Sequence, residues 1–179
     1  MSLTSINNRN LASATLLVSK RCVDLQISDA LIHARSYCEK NIKYKWGGKT
    51  GEELDCSGLV AKCYPVLTEG VDQQFEQLKD WLFLDFDLWF AEYGDVVFFC
   101  EKPDLNHVSH VGIVEDVRAN QVIVIHSSQM RGGVVRDCFS LSDCLFRDTY
   151  HATAVAKMRP FLFRRALFQE IMRISTDGS

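Results

Sequence analysis

The sequence predicts an α+β domain, with N-terminal helices packed on a mostly antiparallel sheet of five to six strands. Two observations carry this. Before Asp95 the apolar residues recur at helical spacing; after it come "DVVFF", "HVGIVED", "QVIVIHS", "GVVRDCF" and "YHATAVAKM". These are short β-branched or aromatic runs separated by turn formers, the pattern of strands in series. Strands that follow helices in blocks, without alternating with them, fit an α+β arrangement. The 179 residues suffice for one core and leave little for a second module.

Taken in order, residues 1–27 read as an N-terminal leader, partly irregular. Its apolar stretch Leu11–Val18 is short, broken by serine and threonine, and lacks a basic cluster before it. A secretory signal shows a charged start, a longer apolar run and a cleavage site of small residues. The expectation is a chain that is cytoplasmic as made, with export by a specialised secretion system as the other route. Ser28–Asn41 reads as a helix, with Ser28 as N-cap, Asp29 in the first turn and Leu31, Ala34, Tyr37 and Cys38 at helical spacing. A loop with Gly47, Gly48 and Gly51 follows, then a short helix from about Asp55 to Tyr64, stopped by Pro65. Residues 66–94 read as a helical excursion or lid, in which "QQFEQLKDWLFL" favours helix and "LDFDLWF" alternates like a strand. Residues 161–179 read as a tail that is helical and then frayed. A helix closing the core, its arginines in water, outweighs a membrane-surface role.

Composition narrows the class. A net charge of −3, with no sustained basic patch before the tail, gives no reason to expect a nucleic-acid partner. No run of about 18 apolar residues is present, so no stable membrane insertion is expected. The seven cysteines form no CxxC pair, and free thiols are expected in preference to a disulfide framework. His107 and His110 alone have short ligand spacing, a weak metal signal. No metal or organic cofactor is expected, and the sequence leaves the oligomeric state open.

Cys56 stands out within "YKWGGKTGEELDCSGLVAKCY". Cys56, Leu59, Val60 and Cys63 form one helical stripe, so Cys56 could be only the first core position. Three features favour chemistry instead. Asp55 is a ready N-cap, placing the thiol in the first turn, where unpaired N–H groups and the helix dipole favour a thiolate. Gly58 is costly inside a helix and implies a close approach to the backbone there. The first-turn N–H groups could also hold an oxyanion. Asp55 opposes the thiolate, so a histidine partner is needed.

His110 and His126 provide it. "SHVGIVEDV" and "NQVIVIHSS" read as a hairpin; with its turn centred on Arg118, His110 falls directly opposite His126 on one face. A register shift of one residue would separate them. Gly112 is expected to leave that face open for sulfur and substrate. His33, His107 and His151 read as surface or packing residues.

Together, "YKWGG", "DCSGLV", "GDVVFF", "HVGIV" and "IHSS…GGVV" resemble the NlpC-type cysteine peptidases of bacterial cell-wall metabolism, in the family's order and over roughly Leu31 to Met158. The resemblance implies a papain-like catalytic domain over residues 28–160. It assigns Cys56 as nucleophile, His110 as general base and His126 as the residue orienting His110. It places Tyr44 near the oxyanion position, and Asp55 and Ser57 at the substrate pocket. It also implies a peptidoglycan stem peptide or muropeptide as partner, cleaved at an amide, commonly the D-glutamyl–diaminopimelate bond. The rival within enzymes is amide or acyl transfer on a non-wall substrate by a deamidase, transamidase or lipid acyltransferase, since all share the acyl-thioester. A binding module that has lost turnover has no need of all three residues.

Overall fold

The computed structural model describes residues 3–84, 90–100, 108–119, 121–140, 145–146 and 150–177. Helix α1 (Leu3–Glu39) is followed by β1 (Lys43–Tyr44), β2 (Glu53–Leu54), α2 (Cys56–Cys63) and α3 (Val71–Leu78). A 3-10 turn (Lys79–Trp81) leads into β3 (Leu82–Leu84), then β4 (Val96–Cys100), β5 (His110–Arg118), β6 (Gln121–Ser128) and β7 (Gly133–Ser140). β8 (Leu145–Phe146), β9 (Tyr150–Ala156) and α4 (Met158–Asp177) complete the chain.

The α+β class holds, and the sheet is larger than expected. Among the described residues it has nine strands, ordered β2-β1-β7-β6-β5-β4-β9-β3 with β8 beside β9. The additional strands, β1, β2, β3 and β8, are only two or three residues long. Among the described residues only β1 and β2 pair in parallel. The 66–94 stretch splits: Val71–Leu78 is helix, Leu82–Leu84 pairs with β9, and 85–89 lie outside the described residues.

Helix α1 begins at Leu3, not Ser28, so the segment read as an irregular leader is helical. From Val23 onward a buried stripe fixes the helix: Val23, Ile27, Ala30 and Ala34 all lie in the main core with Met158 and Leu162 of α4. The tail is likewise one helix to Asp177, with Pro160 tolerated because it lies in the first turn. Asp95 anchors that turn: its buried carboxylate accepts from the Met158 N–H at 3.0 Å and from Lys157 Nζ at 2.7 Å.

Strands β4 to β6 bury both faces. Val96, Phe98, Val111, Ile113 and Ile125 join the helix-side core, while Val97, Phe99, Val114, Val122 and Val124 form a second cluster on the other face. The β5–β6 hairpin departs from the expected register. It starts with Arg118 opposite Gln121 and Val117 opposite Val122, and Asp116 pairs with Ile123. Beyond that the pairing shifts to Val114 opposite Val124 and Ile113 opposite Ile125, leaving Glu115 as an extra residue in β5. This bulge decides which way the side chains beyond it point. Without it His110 and His126 would face opposite ways. With it they share a face as diagonal neighbours, and Gly112, not His110, stands across from His126. A β-carbon at Gly112 would lie 3.1 Å from His126 Cβ and 2.5 Å from Val124 Cγ1, so the glycine makes room for His126 and does not hold open a substrate gap.

Glu115 itself is clamped, accepting from Arg35 Nε at 2.8 Å and from Arg136 Nε at 2.6 Å. Deleting Glu115 removes the extra residue and should abolish the His110–His126 contact. Glu115→Gln keeps the bulge and the contact, losing about 1 kcal/mol from half-exposed ion pairs. Ring-to-ring nuclear Overhauser effects and urea melts measure both. A contact that persists in the deletion variant would contradict this role for the bulge.

Candidate active site

The site has two halves, each built by local sequence. The first is the start of α2. Asp55 is extended (φ −85°, ψ −179°), and its carboxylate accepts from the Gly58 N–H at 2.6 Å, the Ser57 hydroxyl at 3.0 Å and the Gly47 N–H at 3.0 Å. It is therefore both helix cap and loop clamp; a cap of this kind stabilises by about 0.5–2 kcal/mol. The close approach expected at Gly58 is real, and the approaching group is the loop: a β-carbon there would collide with the Gly48 carbonyl oxygen. That oxygen also accepts from the Asp55 N–H at 3.0 Å. Buried Ser57 is fixed twice, through its hydroxyl and through its carbonyl, which accepts from Gln74 Nε2 of α3 at 2.9 Å.

Cys56 is consequently held in the first turn, only 8% exposed. Backbone N–H groups of Val111, Ser57 and Cys56 face its sulfur, which sets it against the residue following His110. These N–H groups favour a thiolate, as expected for a helix start. Burial, with the Asp55 charge second, outweighs them and raises the thiol from 9.0 to about 11. Burial therefore favours the thiol form of the resting sulfur, the outcome toward which Asp55 was expected to work.

The second half lies on the sheet, where β5, β6 and β7 each contribute one residue. His110 Nε2 and His126 Nδ1 are 2.7 Å apart, and His126 Nε2 is 3.0 Å from Asp137 Oδ2. His110 is 8%, His126 1% and Asp137 5% exposed, so water contributes little to this row. Burial, with the neighbouring His126 adding to it, lowers the His110 imidazole from 6.5 to about 3. Burial pushes the Asp137 carboxyl up, but the hydrogen bond from His126 and the hydrogen bond and charge of Arg131 outweigh it and hold the group below the usual carboxylate range. Arg131, from the β6–β7 turn, donates from Nη2 to Asp137 Oδ1 at 3.1 Å.

A cleft of about 450 Å³ opens at Cys56, lined also by Tyr44, Trp46, Asp55, Ser57, Glu69 and Asp72. Tyr44 is tied by its N–H to the Gly132 carbonyl at 2.9 Å. The structure thus brings Cys56, Tyr44, Asp55 and Ser57 to one cleft, and His110 and His126 together on β5 and β6. Asp137 and Arg131 were missed by sequence reasoning. In the folded strand Arg136 and Cys138 are exposed while Asp137 and Phe139 are buried, so the acid lies on the apolar side. His33 is exposed on α1; His107 and the side chain of His151 lie outside the described residues. Cys22, Cys38, Cys56, Cys63 and Cys138 are free thiols, and Cys144 lies outside the described residues. Among the described residues no group of three or more His, Cys, Asp or Glu is placed to hold a metal. Nor is any described helix long and apolar enough to cross a membrane.

The two shifts fix how stability depends on pH. The unfolded chain binds a proton at His110 that the folded state refuses, so stability from this group falls as pH drops from about 6.5 toward 3. The unfolded chain loses the Cys56 proton first, so stability falls as pH rises from 9.0 toward about 11. Urea melts across pH should show that His110→Gln makes the acid side shallower by one proton, about 1.4 kcal/mol per pH unit. Cys56→Ala should do the same on the alkaline side. Unchanged slopes would contradict the burial of neutral groups.

Comparison with known proteins agrees with this architecture. A Staphylococcus aureus protein described as similar to lipoprotein, NLP/P60 family, superposes with a TM-score of 0.52 at 21% identity, covering 74% of this chain and 41% of its own. NlpC1 from Trichomonas vaginalis gives 0.52 at 21% identity, covering 72% and 42%. The NlpC/p60 domain of the peptidoglycan hydrolase SagA gives 0.52 at 20% identity, covering 73% and 97%. The chain therefore spans about two fifths of the first two proteins and nearly all of the SagA domain, and at such identities the shared property is the fold. No curated protein matches the sequence significantly. The NlpC/P60 family profile, however, matches residues 41–151 of the 179, covering α2 and the strands bearing both histidines. The chain belongs to the NlpC/P60 family.

Proposed function

We propose that this protein is a cysteine hydrolase that cleaves an amide in peptidoglycan stem peptides through an acyl-enzyme on Cys56. One observation carries the reading: a buried thiol at a capped helix start lies against β5, whose first residue, His110, contacts His126 at 2.7 Å. With the thiol raised and the imidazole lowered, both groups are neutral at rest. His110 therefore takes the Cys56 proton as sulfur attacks the carbonyl. The oxyanion is held by N–H groups at the α2 start, with Tyr44 at the cleft wall. His110 then protonates the leaving amine, and water attacks the thioester, returning acid and thiol. His126 holds His110 in orientation.

Membership of the NlpC/P60 family supports a wall substrate, and the similar SagA domain belongs to a peptidoglycan hydrolase. The D-glutamyl–diaminopimelate amide is the bond we propose. Mass spectrometry of purified peptidoglycan fragments should show products split at that bond after incubation with wild-type protein, and none with Cys56→Ala. His110→Ala should lower turnover about 10²–10⁴-fold. Folded wild-type protein that leaves every fragment intact would contradict the wall substrate. Release at a different amide would move the bond while keeping the chemistry.

A further inference from the structure

We propose that Asp137, pinned by Arg131, is a positioning residue that sets the tautomers of both histidines and so leaves His110 able to act as a base. The inference rests on the reading of His110 as the base for Cys56, and its argument is proton counting along three hydrogen bonds. A carboxylate accepts and cannot donate, so His126 Nε2, 3.0 Å from Asp137 Oδ2, must carry a proton. The proposal takes His126 as neutral, so that its other nitrogen, Nδ1, is an acceptor; a doubly protonated His126 would donate there and put the His110 proton on Nδ1. His110 Nε2, 2.7 Å from it, must donate. That puts the proton of neutral His110 on Nε2 and leaves the lone pair on Nδ1, the nitrogen a base requires. The opposite tautomer would present Cys56 with a ring already protonated at Nδ1.

Arg131 makes the arrangement directional. Guanidinium only donates, and its Nη2 occupies Asp137 Oδ1 at 3.1 Å, so the carboxylate offers one oxygen to each neighbour. Asp137 is buried while Arg131 is half-exposed, which places the acid as a fixed element behind the histidine row. If Asp137→Asn is introduced, the new amide must turn its oxygen to Arg131 and its NH₂ to His126. Every proton in the row is then reversed, and His110 becomes protonated at Nδ1. Removing Arg131 as well frees the amide to turn its oxygen toward His126.

The tautomers are read directly by ¹⁵N–¹H correlation of protein labelled at histidine, without substrate, so the result is independent of whether the wall reading is right. Wild type should show His126 and His110 both protonated at Nε2. Asp137→Asn should move both protons to Nδ1 and lower turnover about 10²–10⁴-fold. Arg131→Ala alone should keep the wild-type pattern, and the double variant should shift it back toward wild type. A purely structural role for Asp137 predicts lost stability with unchanged tautomers. Wild-type His110 protonated at Nδ1 would overturn the proposal, and this spectrum decides even if Asp137→Asn does not fold. Unchanged tautomers in a folded Asp137→Asn protein would overturn it equally. So would a double variant that stays reversed.

Discussion

The site depends on one extra residue. Side chains alternate along a strand, so whether two of them can meet across a hairpin is a question of parity. The turn of the β5–β6 hairpin sets a parity that would send His110 and His126 to opposite faces, and the bulge at Glu115 changes it. Bulges interrupt pairing and need compensation. Here Glu115 gains two arginine partners, from α1 and β7. Burial raises its carboxyl, but those two arginines outweigh burial and hold it below the ordinary range. The long N-terminal helix is thus tied to the strand register on which the histidine row relies.

The cysteine half is organised differently, by close backbone packing. Gly58 lets the Gly48 carbonyl reach α2, and Asp55 locks cap, loop and Ser57 in one set of hydrogen bonds. α3 joins through buried Gln74, whose side chain spans the Ser57 and Thr68 carbonyls at 2.9 and 2.8 Å. The consequence of this packing is a buried thiol, with the Val111 N–H at its sulfur, and a buried imidazole on the residue before Val111. Neither group is charged at rest, so the cost of making a thiolate falls within the reaction. On the proposed mechanism, fixed dipoles at the α2 start and an imidazolium on His110 would stabilise that charge in a site of low dielectric.

What could be read from the sequence was what depends on neighbours in sequence. The Asp55 cap, the α2 boundaries and the strand texture after Asp95 follow from a few adjacent residues. Pairing His110 with His126 was also legible, although the expected geometry differed: the histidines meet diagonally, through a bulge that no local composition signals. The helical character of α1 before Ser28 was hidden in part because Val23 and Ile27 join Ala30 and Ala34 as a stripe only once the core is assembled with Met158 and Leu162 of α4. Asp137 was hidden for a related reason. An acid in "GVVRDCF" reads as surface until the strand's parity is known, and parity is a property of the assembled sheet.

The central claim is covalent: the acyl group of the substrate rests on Cys56. Rapid acid quench during turnover of a stem-peptide substrate, followed by intact-protein mass spectrometry and peptide mapping, tests it most directly. The account predicts a transient mass increase equal to the acyl fragment, mapped to the peptide containing Cys56 and absent from Cys56→Ala. Turnover with the adduct on another residue, or full activity in Cys56→Ala, would contradict it.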